Sequence, residues 1–132
     1  MKYLGIVVAT TAEARSLTKH PVVSGGALLQ ISGIGAKRAH LAARTLLEKG
    51  ATSLLSWGSA GGLIPGLPPG SLVLPKKIIA VDGSVYLVDA TWRECLCAQL
   101  KEKINLREGM LAESITAVTC PEEKATLFQQ TG

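Results

Sequence analysis

Residues 53–63 read SLLSWGSAGGL, a short apolar stretch that runs directly into a loop with three glycines around one serine. The apolar part is typical of a buried strand, because it is short and continuous and ends at a turn signal. A loop that follows such a strand lies at the carboxyl edge of the sheet, where open α/β folds bind ligands. Its backbone amides and the hydroxyl of Ser59 suit sugar hydroxyls or an oxyanion, and a plain turn is the alternative interpretation.

The rest of the chain alternates apolar strands with helices. Besides residues 53–57, the sequence predicts strands over residues 3–9, 27–32 and 71–81, a strand or extended segment near residues 109–118, and a short extended piece at 86–88. It predicts helices from a cap at Thr10 or Thr11 to about Leu17, over residues 36–49 and 90–103, and from Pro121 onward. This alternation favours a mostly parallel sheet covered by helices.

The helix over residues 36–49 has the clearest pattern. One face is apolar, the positions being Ala39, Ala42, Ala43, Leu46 and Leu47. Gly50 follows as a typical C-terminal cap. The pattern therefore predicts a helix that packs one face against the sheet.

A second glycine turn, Gly33-Ile34-Gly35, precedes this helix. Glycines at such a turn let the backbone approach an anion at the amino end of a helix. A dinucleotide fingerprint would need a third glycine at position 38, which is occupied by Arg38. A Rossmann oxidoreductase is therefore disfavoured, and a turn without a ligand remains an alternative.

Glu13 stands in the first turn of the first predicted helix. A carboxylate there is stabilised by the helix dipole, which is a sufficient structural reason for its presence. It also projects over the sheet edge that carries Ser59, where it suits a general base. Spacing alone leaves both interpretations open.

Composition bounds the function classes. The chain has 132 residues, enough for one domain, and its 47% hydrophobic and 18% charged content excludes a disordered tail. The net charge of +4 comes from scattered basic residues without interleaved aromatics, so no nucleic-acid partner is expected.

Cysteine use and hydropathy indicate the compartment. The three cysteines, Cys95, Cys97 and Cys120, fit neither a disulfide framework nor, with the histidines, a metal site. The apolar run that begins at Leu4 is too short to span a membrane. We expect reduced thiols in a cytoplasmic protein that has no membrane span and no metal.

Four blocks in a fixed order resemble a known family. These are Gly5-Ile6-Val7-Val8-Ala9 with Glu13, then Ser32-Gly33-Ile34-Gly35, then Gly58-Ser59-Ala60-Gly61-Gly62, then Gly70-Ser71-Leu72-Val73. Their order resembles the purine nucleoside phosphorylase and methylthioadenosine/adenosylhomocysteine nucleosidase superfamily, over the whole chain. The resemblance implies a three-layer αβα phosphorylase/hydrolase-like domain with a mostly parallel or mixed central sheet.

A later stretch resembles one branch of this superfamily. Asp82-Gly83-Ser84, Tyr86, Asp89 and Trp92-Arg93 look more like the hopanoid-associated phosphorylases than the nucleosidases. The resemblance implies cleavage of the N-glycosidic bond of a purine nucleoside or a nucleoside-like compound, with adenosylhopane as the candidate for this branch.

The resemblance also implies residue roles. Glu13 matches the glutamate that positions and activates the attacking water, and Ser59 matches the serine beside the ribose and the nucleophile. Substrate-binding positions are implied at Ala9, Gly33, Gly35, Gly58, Ala60, Gly61, Ala117 and Val118. No cofactor is implied, and phosphate is a candidate co-substrate.

Two departures from the family pattern matter. Phosphate-using relatives often carry an arginine three residues before the loop serine, where this chain has Ser56, and a neutral side chain lacks the bidentate grip that phosphate favours. This favours water as nucleophile without deciding the question. The family also places its ribose-binding Met-Glu pair and its acidic aspartate in a portion following Gly132.

The second departure yields three expectations. Residues 1–132 are expected to form a single, incomplete domain whose activity is weak or absent on its own, because a general acid is typically worth about 10²–10⁴-fold in rate. An open sheet edge and uncovered apolar faces predict self-association, domain exchange or aggregation, and we expect a homo-oligomer. A non-catalytic nucleoside- or anion-binding module is the alternative function.

Overall fold

The computed structural model describes residues 3–132. The chain divides into two compact units, a first unit that ends at Ala60 and a second unit that begins at Gly61. The prediction of one incomplete domain stays a prediction. Within the described residues, no helix combines the length and the apolar character needed to cross a membrane.

The first unit is a parallel sheet with helices. Its elements are β1 (Tyr3–Val8), α1 (Thr11–Thr18), α2 (Pro21–Ser24), β2 (Leu28–Ile31), α3 (Ala36–Glu48) and β3 (Ala51–Ser56). The strand order is β2-β1-β3, and β1 is parallel to both neighbours. The predicted strands and helices of this unit are confirmed to within a few residues at their ends. The prediction that the strand before the glycine loop is buried is wrong, because only Ala51 of β3 is buried and Leu54 is 36% exposed.

Strand β1 is the centre of the first unit because both of its faces are covered. Successive side chains of a strand point to opposite faces, so a continuous apolar run suits a strand that is buried on both sides. One buried cluster comprises Val7, Ala42, Leu46 and Ala51, and the other comprises Ile6, Val8 and Ala14. Helix α3 therefore packs against one face of β1, and α1 packs against the other.

A close approach also requires Gly5 in β1. A Cβ added there would lie 2.9 Å from Leu54 Cδ2, 3.0 Å from Ala51 Cβ and 3.2 Å from Leu46 Cβ. The first distance is shorter than real Cβ contacts and the other two are tighter than most of them, so the glycine lets α3 and β3 approach β1.

Helix α3 matches its predicted pattern except at one position. Ala42 and Leu46 are buried, whereas Leu47 is 50% exposed. The prediction that Leu47 belongs to the buried face is wrong, because the Ala42–Leu46 line follows the i, i+4 row and Leu47 lies beside it. Gly50 ends the helix with a φ of +96°, and its amide donates to Leu47 O, as predicted.

The three parallel strands end at one edge of the sheet. Their following segments are joined by backbone hydrogen bonds: the Gly33 amide donates to Ala9 O at 3.0 Å and the Trp57 amide donates to Val7 O at 3.0 Å. The residues after β1, β2 and β3 therefore lie side by side at the carboxyl edge of this sheet.

The second unit is built around a mixed sheet. Its elements are β4 (Leu72–Ile79), β5 (Val85–Leu87), α4 (Ala90–Leu100), β6 (Leu106–Ala112) and α5 (Pro121–Thr131). In the order β5-β4-β6, β4 is antiparallel to β5 and parallel to β6. The register of β4 against β6 shifts between Pro75 and Lys77, as expected where a proline cannot donate to the ladder.

One predicted strand of the second unit is misplaced. The strand expected over residues 109–118 is β6, which begins at Leu106 and ends at Ala112. Its start is fixed by pairing of Leu106 with Leu72 across the sheet, and Gly109 lies inside the strand opposite Pro75. Helix α5 begins at the predicted Pro121, with Cys120 as its N-cap.

Candidate active site

Glu13 is held in place by the start of its own helix. Thr10 is the N-cap of α1, and its side chain accepts a hydrogen bond from the Glu13 amide at 3.2 Å. In return, Glu13 Oε2 accepts hydrogen bonds from the Ala9 amide at 2.9 Å and the Thr10 amide at 3.1 Å. This capping box places the carboxylate at the carboxyl edge of the sheet, directly after β1.

The other oxygen of the same carboxylate contacts the glycine loop. Glu13 Oε1 accepts hydrogen bonds from the Ser59 amide at 2.9 Å and from Ser59 Oγ at 3.2 Å. The two residues are 46 positions apart in the sequence. The prediction that Glu13 and Ser59 share one edge of the sheet is confirmed, while their chemical roles stay predictions.

Gly58 makes this contact sterically feasible. A Cβ on Gly58 would lie 2.7 Å from Glu13 Oε1 and 3.0 Å from Glu13 Cδ. A side chain there would push the carboxylate away from Ser59. Glycine at position 58 therefore lets the carboxylate and the loop meet at these distances without a shift of the Glu13 side chain.

The hydrogen bonds around Glu13 also set its charge. The Ser59 amide, followed by those of Thr10 and Ala9, holds the pKa of the Glu13 carboxyl below its ordinary value, while partial burial opposes this effect. Hydrogen bonds to the charged form of a carboxyl stabilise that form. At neutral pH the group is therefore an ionised acceptor, suited to orienting a water molecule or balancing a positive sugar.

Trp57 and Ser16 join the same region and were not identified from the sequence. The Trp57 indole Nε1 donates to Ser16 Oγ at 3.0 Å, and Ser16 Oγ donates to Glu13 O at 2.7 Å. The sequence carries a weak signal for this contact, because Ser16 follows Glu13 by one helical turn and Trp57 directly precedes Gly58.

The turn after β2 completes the edge within the first unit. Gly33 and Gly35 adopt φ values of +82° and +112°, which glycine tolerates. Atoms Cδ and Nη1 of Arg38 both lie 3.0 Å from the Cβ position of Gly33, so this side chain lies across the turn. The residue that excludes the dinucleotide fingerprint therefore brings a cationic side chain to this edge.

The remaining predicted substrate-binding residues lie further along the chain. Ala60 ends the first unit, and Gly61 begins the second. Ala117 and Val118 lie between β6 and α5, outside any strand. Their roles, like those of the other substrate-binding positions, stay predictions.

A cavity in the second unit involves none of these residues. Its volume is about 320 Å³, and it is lined by Lys76, Lys77, Leu87, Glu108, Gly109 and Met110. The Glu13–Ser59 contact is the stronger candidate site, because it brings a carboxylate, an amide and a hydroxyl together. Among residues 3–132, no three His, Cys, Asp or Glu side chains form a group that suits a metal ion.

The parallel sheet, with an ionised carboxylate and a serine-glycine loop at its carboxyl edge, defines the chain as an α/β protein with a polar site at the ends of its strands. The model of the phosphorylase superfamily matches residues 10–132, and the chain belongs to that superfamily. The resemblance seen in the sequence is thereby confirmed at this level, and the hopanoid-associated branch stays a prediction. No curated protein matches the chain significantly.

Two solved structures share the fold. One is a 5′-methylthioadenosine/S-adenosylhomocysteine nucleosidase from Neisseria meningitidis in complex with methylthio-immucillin-A. It has a TM-score of 0.81 and 22% identity, and the match covers 99% of this chain and 72% of that one. The other, assigned as a methylthioadenosine nucleosidase from Weissella paramesenteroides, has a TM-score of 0.79 and 17% identity, with 96% and 70% covered. The predicted fold class is confirmed.

Proposed function

We propose that the protein cleaves the N-glycosidic bond of a purine nucleoside with water as the nucleophile. The observation that carries the proposal is the contact of the Glu13 carboxylate with the amide and hydroxyl of Ser59. Membership of the phosphorylase superfamily and the nucleosidase fold support the same reaction class.

Cleavage of the N-glycosidic bond has three requirements. As in O-glycoside cleavage, the sugar gains oxocarbenium character, so its positive charge must be stabilised, the nucleophile oriented and the leaving base protonated. The ionised Glu13 would orient the water and balance the positive sugar, and the Ser59 hydroxyl would bind the ribose or the nucleophile. Protonation of the leaving base is the third requirement, and neither Glu13 nor Ser59 is assigned to it.

The lack of a positive charge at Ser56, the last residue of β3, favours water over phosphate as the nucleophile. Ser56, three residues before Ser59, is neutral and cannot bind phosphate as an arginine does. Arg38, which lies across Gly33, is the observation that favours phosphorolysis as a second candidate. An assay in phosphate-free and phosphate-containing buffer, with separation of free ribose from ribose 1-phosphate, decides between them.

The 5′ substituent of the nucleoside is the part of the substrate that the structure constrains least. The residues that resemble the hopanoid-associated branch have structural contacts in the second unit: Asp82 Oδ1 accepts from the Ser84 amide at 2.8 Å, and Asp89 Oδ1 accepts from the Trp92 amide at 2.7 Å. We propose adenosylhopane and methylthioadenosine as the two substrates to compare, since the first follows from the branch resemblance and the second from the structural neighbours.

The central experiment measures adenine release by the protein at saturating nucleoside concentration. Glu13→Gln is expected to lower kcat by about 10²–10⁴-fold, the range for a positioned acid or base. Glu48→Gln is the matched control, because Glu48 is an exposed helical glutamate whose partner is Arg44. Equal activity of both variants would refute the role of Glu13.

A non-catalytic nucleoside-binding module is the alternative. The capping box already gives Glu13 a complete structural role, which is the observation that favours this interpretation. Calorimetric titration with adenine nucleosides separates the two functions, because binding without any base release would support the module and exclude the enzyme.

A further inference from the structure

Trp57 is held at two points in the first unit. Its amide donates to Val7 O in β1 at 3.0 Å, and its indole Nε1 donates to Ser16 Oγ in α1 at 3.0 Å. Its ring packs against the buried cluster that contains Ile6 and Val8. Trp57 therefore links β1, the apolar layer and α1 at the point where β3 ends.

The residues that follow Trp57 have few side-chain contacts of their own. Gly58 has no side chain, and Ser59 is exposed and is bound through Glu13. The direction in which this segment leaves the sheet is therefore determined largely by its last anchored residue. Ser16 Oγ, the acceptor of the indole N–H, donates in turn to Glu13 O at 2.7 Å, so the anchor ends on the helical turn that carries the carboxylate.

We propose that Trp57 is a positioning residue, whose indole N–H acts through Ser16 to fix the Gly58–Ser59 segment against α1 so that Ser59 meets Glu13. The catalytic meaning of this role rests on the proposed function. The hydrogen bonds from which the role is inferred do not depend on that function. Loss of the indole hydrogen bond leaves the ring packing in place and frees the loop to move away from the carboxylate.

The test compares Trp57→Phe, which keeps an aromatic ring and removes the N–H, with Ser16→Ala, which removes the acceptor. Trp92→Phe is the matched control, because Trp92 is half-buried in the second unit. Hydrogen exchange of the Ser59 amide and the pKa of the Glu13 carboxyl, followed by carbon-13 NMR, are the two readouts. Neither requires turnover.

Both variants are expected to speed Ser59 amide exchange by about 2–10-fold, the effect of one hydrogen bond, and to raise the pKa of Glu13 toward its ordinary value. Trp57→Phe combined with Ser16→Ala should add nothing to either single change, since both remove the same bond. Unchanged readouts in the single variants, additive effects or an equal effect of Trp92→Phe would overturn the proposal. If Trp57→Phe does not fold, the same two readouts in Ser16→Ala decide the question.

The test of the positioning role can succeed or fail independently of the test of the proposed function. In active protein, Trp57→Phe should lower kcat more than it changes KM, because an oriented nucleophile is needed in the chemical step. If no base is released but the two NMR readouts change as expected, the positioning role stands and the enzymatic proposal fails. If base is released and the NMR readouts do not change, the enzymatic proposal stands and the positioning role fails.

Discussion

Strands β1 and β4 are each the middle strand of a three-stranded sheet, and their surroundings differ. In β1, the last four residues are all buried, with Ile6 2% and Val8 1% exposed. In β4, which carries Pro75-Lys76-Lys77, no residue is fully buried. The same position in a sheet therefore does not guarantee a core. A covered strand needs an uninterrupted apolar sequence and a helix on each face.

The candidate site follows this difference. Glu13 follows β1, the strand whose packing is complete, and its carboxylate holds Ser59 there. Precise placement of reactive groups requires such rigid support. The second unit contributes predicted substrate-binding positions from loops. Four changes test the contrast, in order of decreasing effect.

The largest effect is expected from matched leucines in the two units. Leu46 in α3 is 1% exposed, whereas Leu96 in α4 is half-buried. Leu46→Ala is expected to lower the free energy of unfolding by about 2–5 kcal/mol through lost burial and a cavity. Leu96→Ala should cost about 1–2 kcal/mol. Urea unfolding measures both, and equal losses would contradict the difference in packing.

A smaller effect on stability and a specific effect on the site are expected from Gly58→Ala. The new Cβ displaces the Glu13 carboxylate from Ser59, at a cost of about 1–2 kcal/mol in the hydrogen bonds that are lost. Gly109→Ala is the control in the second unit, because no atom lies within 4 Å of its Cβ position. NMR should show the pKa of Glu13 rising only in Gly58→Ala; a similar rise in both variants would remove the steric explanation.

A pH-dependent effect is expected from Glu13→Gln. Since folding lowers the pKa of this carboxyl, its stabilisation is complete above the unfolded-state pKa of about 4.3 and is lost as the pH falls through the lower folded-state value. The variant should be less stable by about 1 kcal/mol at pH 7, a modest figure because the group is partly exposed and screened by solvent. The free energies of unfolding of the variant and of the unchanged protein should converge between pH 7 and pH 3. A constant difference would show that the charge of Glu13 does not cause the stabilisation.

The smallest effect is expected from Lys76→Gln in the second unit. Lys76 Nζ lies 3.0 Å from Glu108 Oε2, and Arg93 Nη2 lies at the same distance from that oxygen. The hydrogen bond from Lys76, followed by that from Arg93, holds the pKa of Glu108 below its ordinary value. Removal of the lysine should raise this pKa and leave the unfolding midpoint at pH 7 unchanged, because exposed ion pairs contribute little. A clear drop in the midpoint would show that this cluster supports the second unit.

The sequence predicts the first unit well because local pattern and packing agree there. The apolar run of β1, the i, i+4 spacing of α3 and the glycine at position 50 each have one physical interpretation. The end of β6 is not predictable in this way, because it is determined by pairing with β4 and the segment after Ala112 has mixed polarity.

The site is only partly predictable for a related reason. The spacing of Glu13 and its helix leaves two interpretations open. The structure shows the structural role, as part of the helix cap, and a contact with Ser59, while the role of general base stays a prediction. The hydrogen bond from Trp57 to Ser16 spans 41 positions, and no local pattern encodes such a contact.

The two carboxylate oxygens of Glu13 also differ in the stage of folding at which their hydrogen-bond donors come within reach. Oε2 binds amides three and four positions away, whereas Oε1 binds a residue 46 positions away. Closing a short loop costs less chain entropy than closing a long one, so the local half of this arrangement can form while the chain beyond α1 is still unfolded. We expect the acid to be oriented early during folding and the serine to arrive late, with the helix cap serving as a template for the loop.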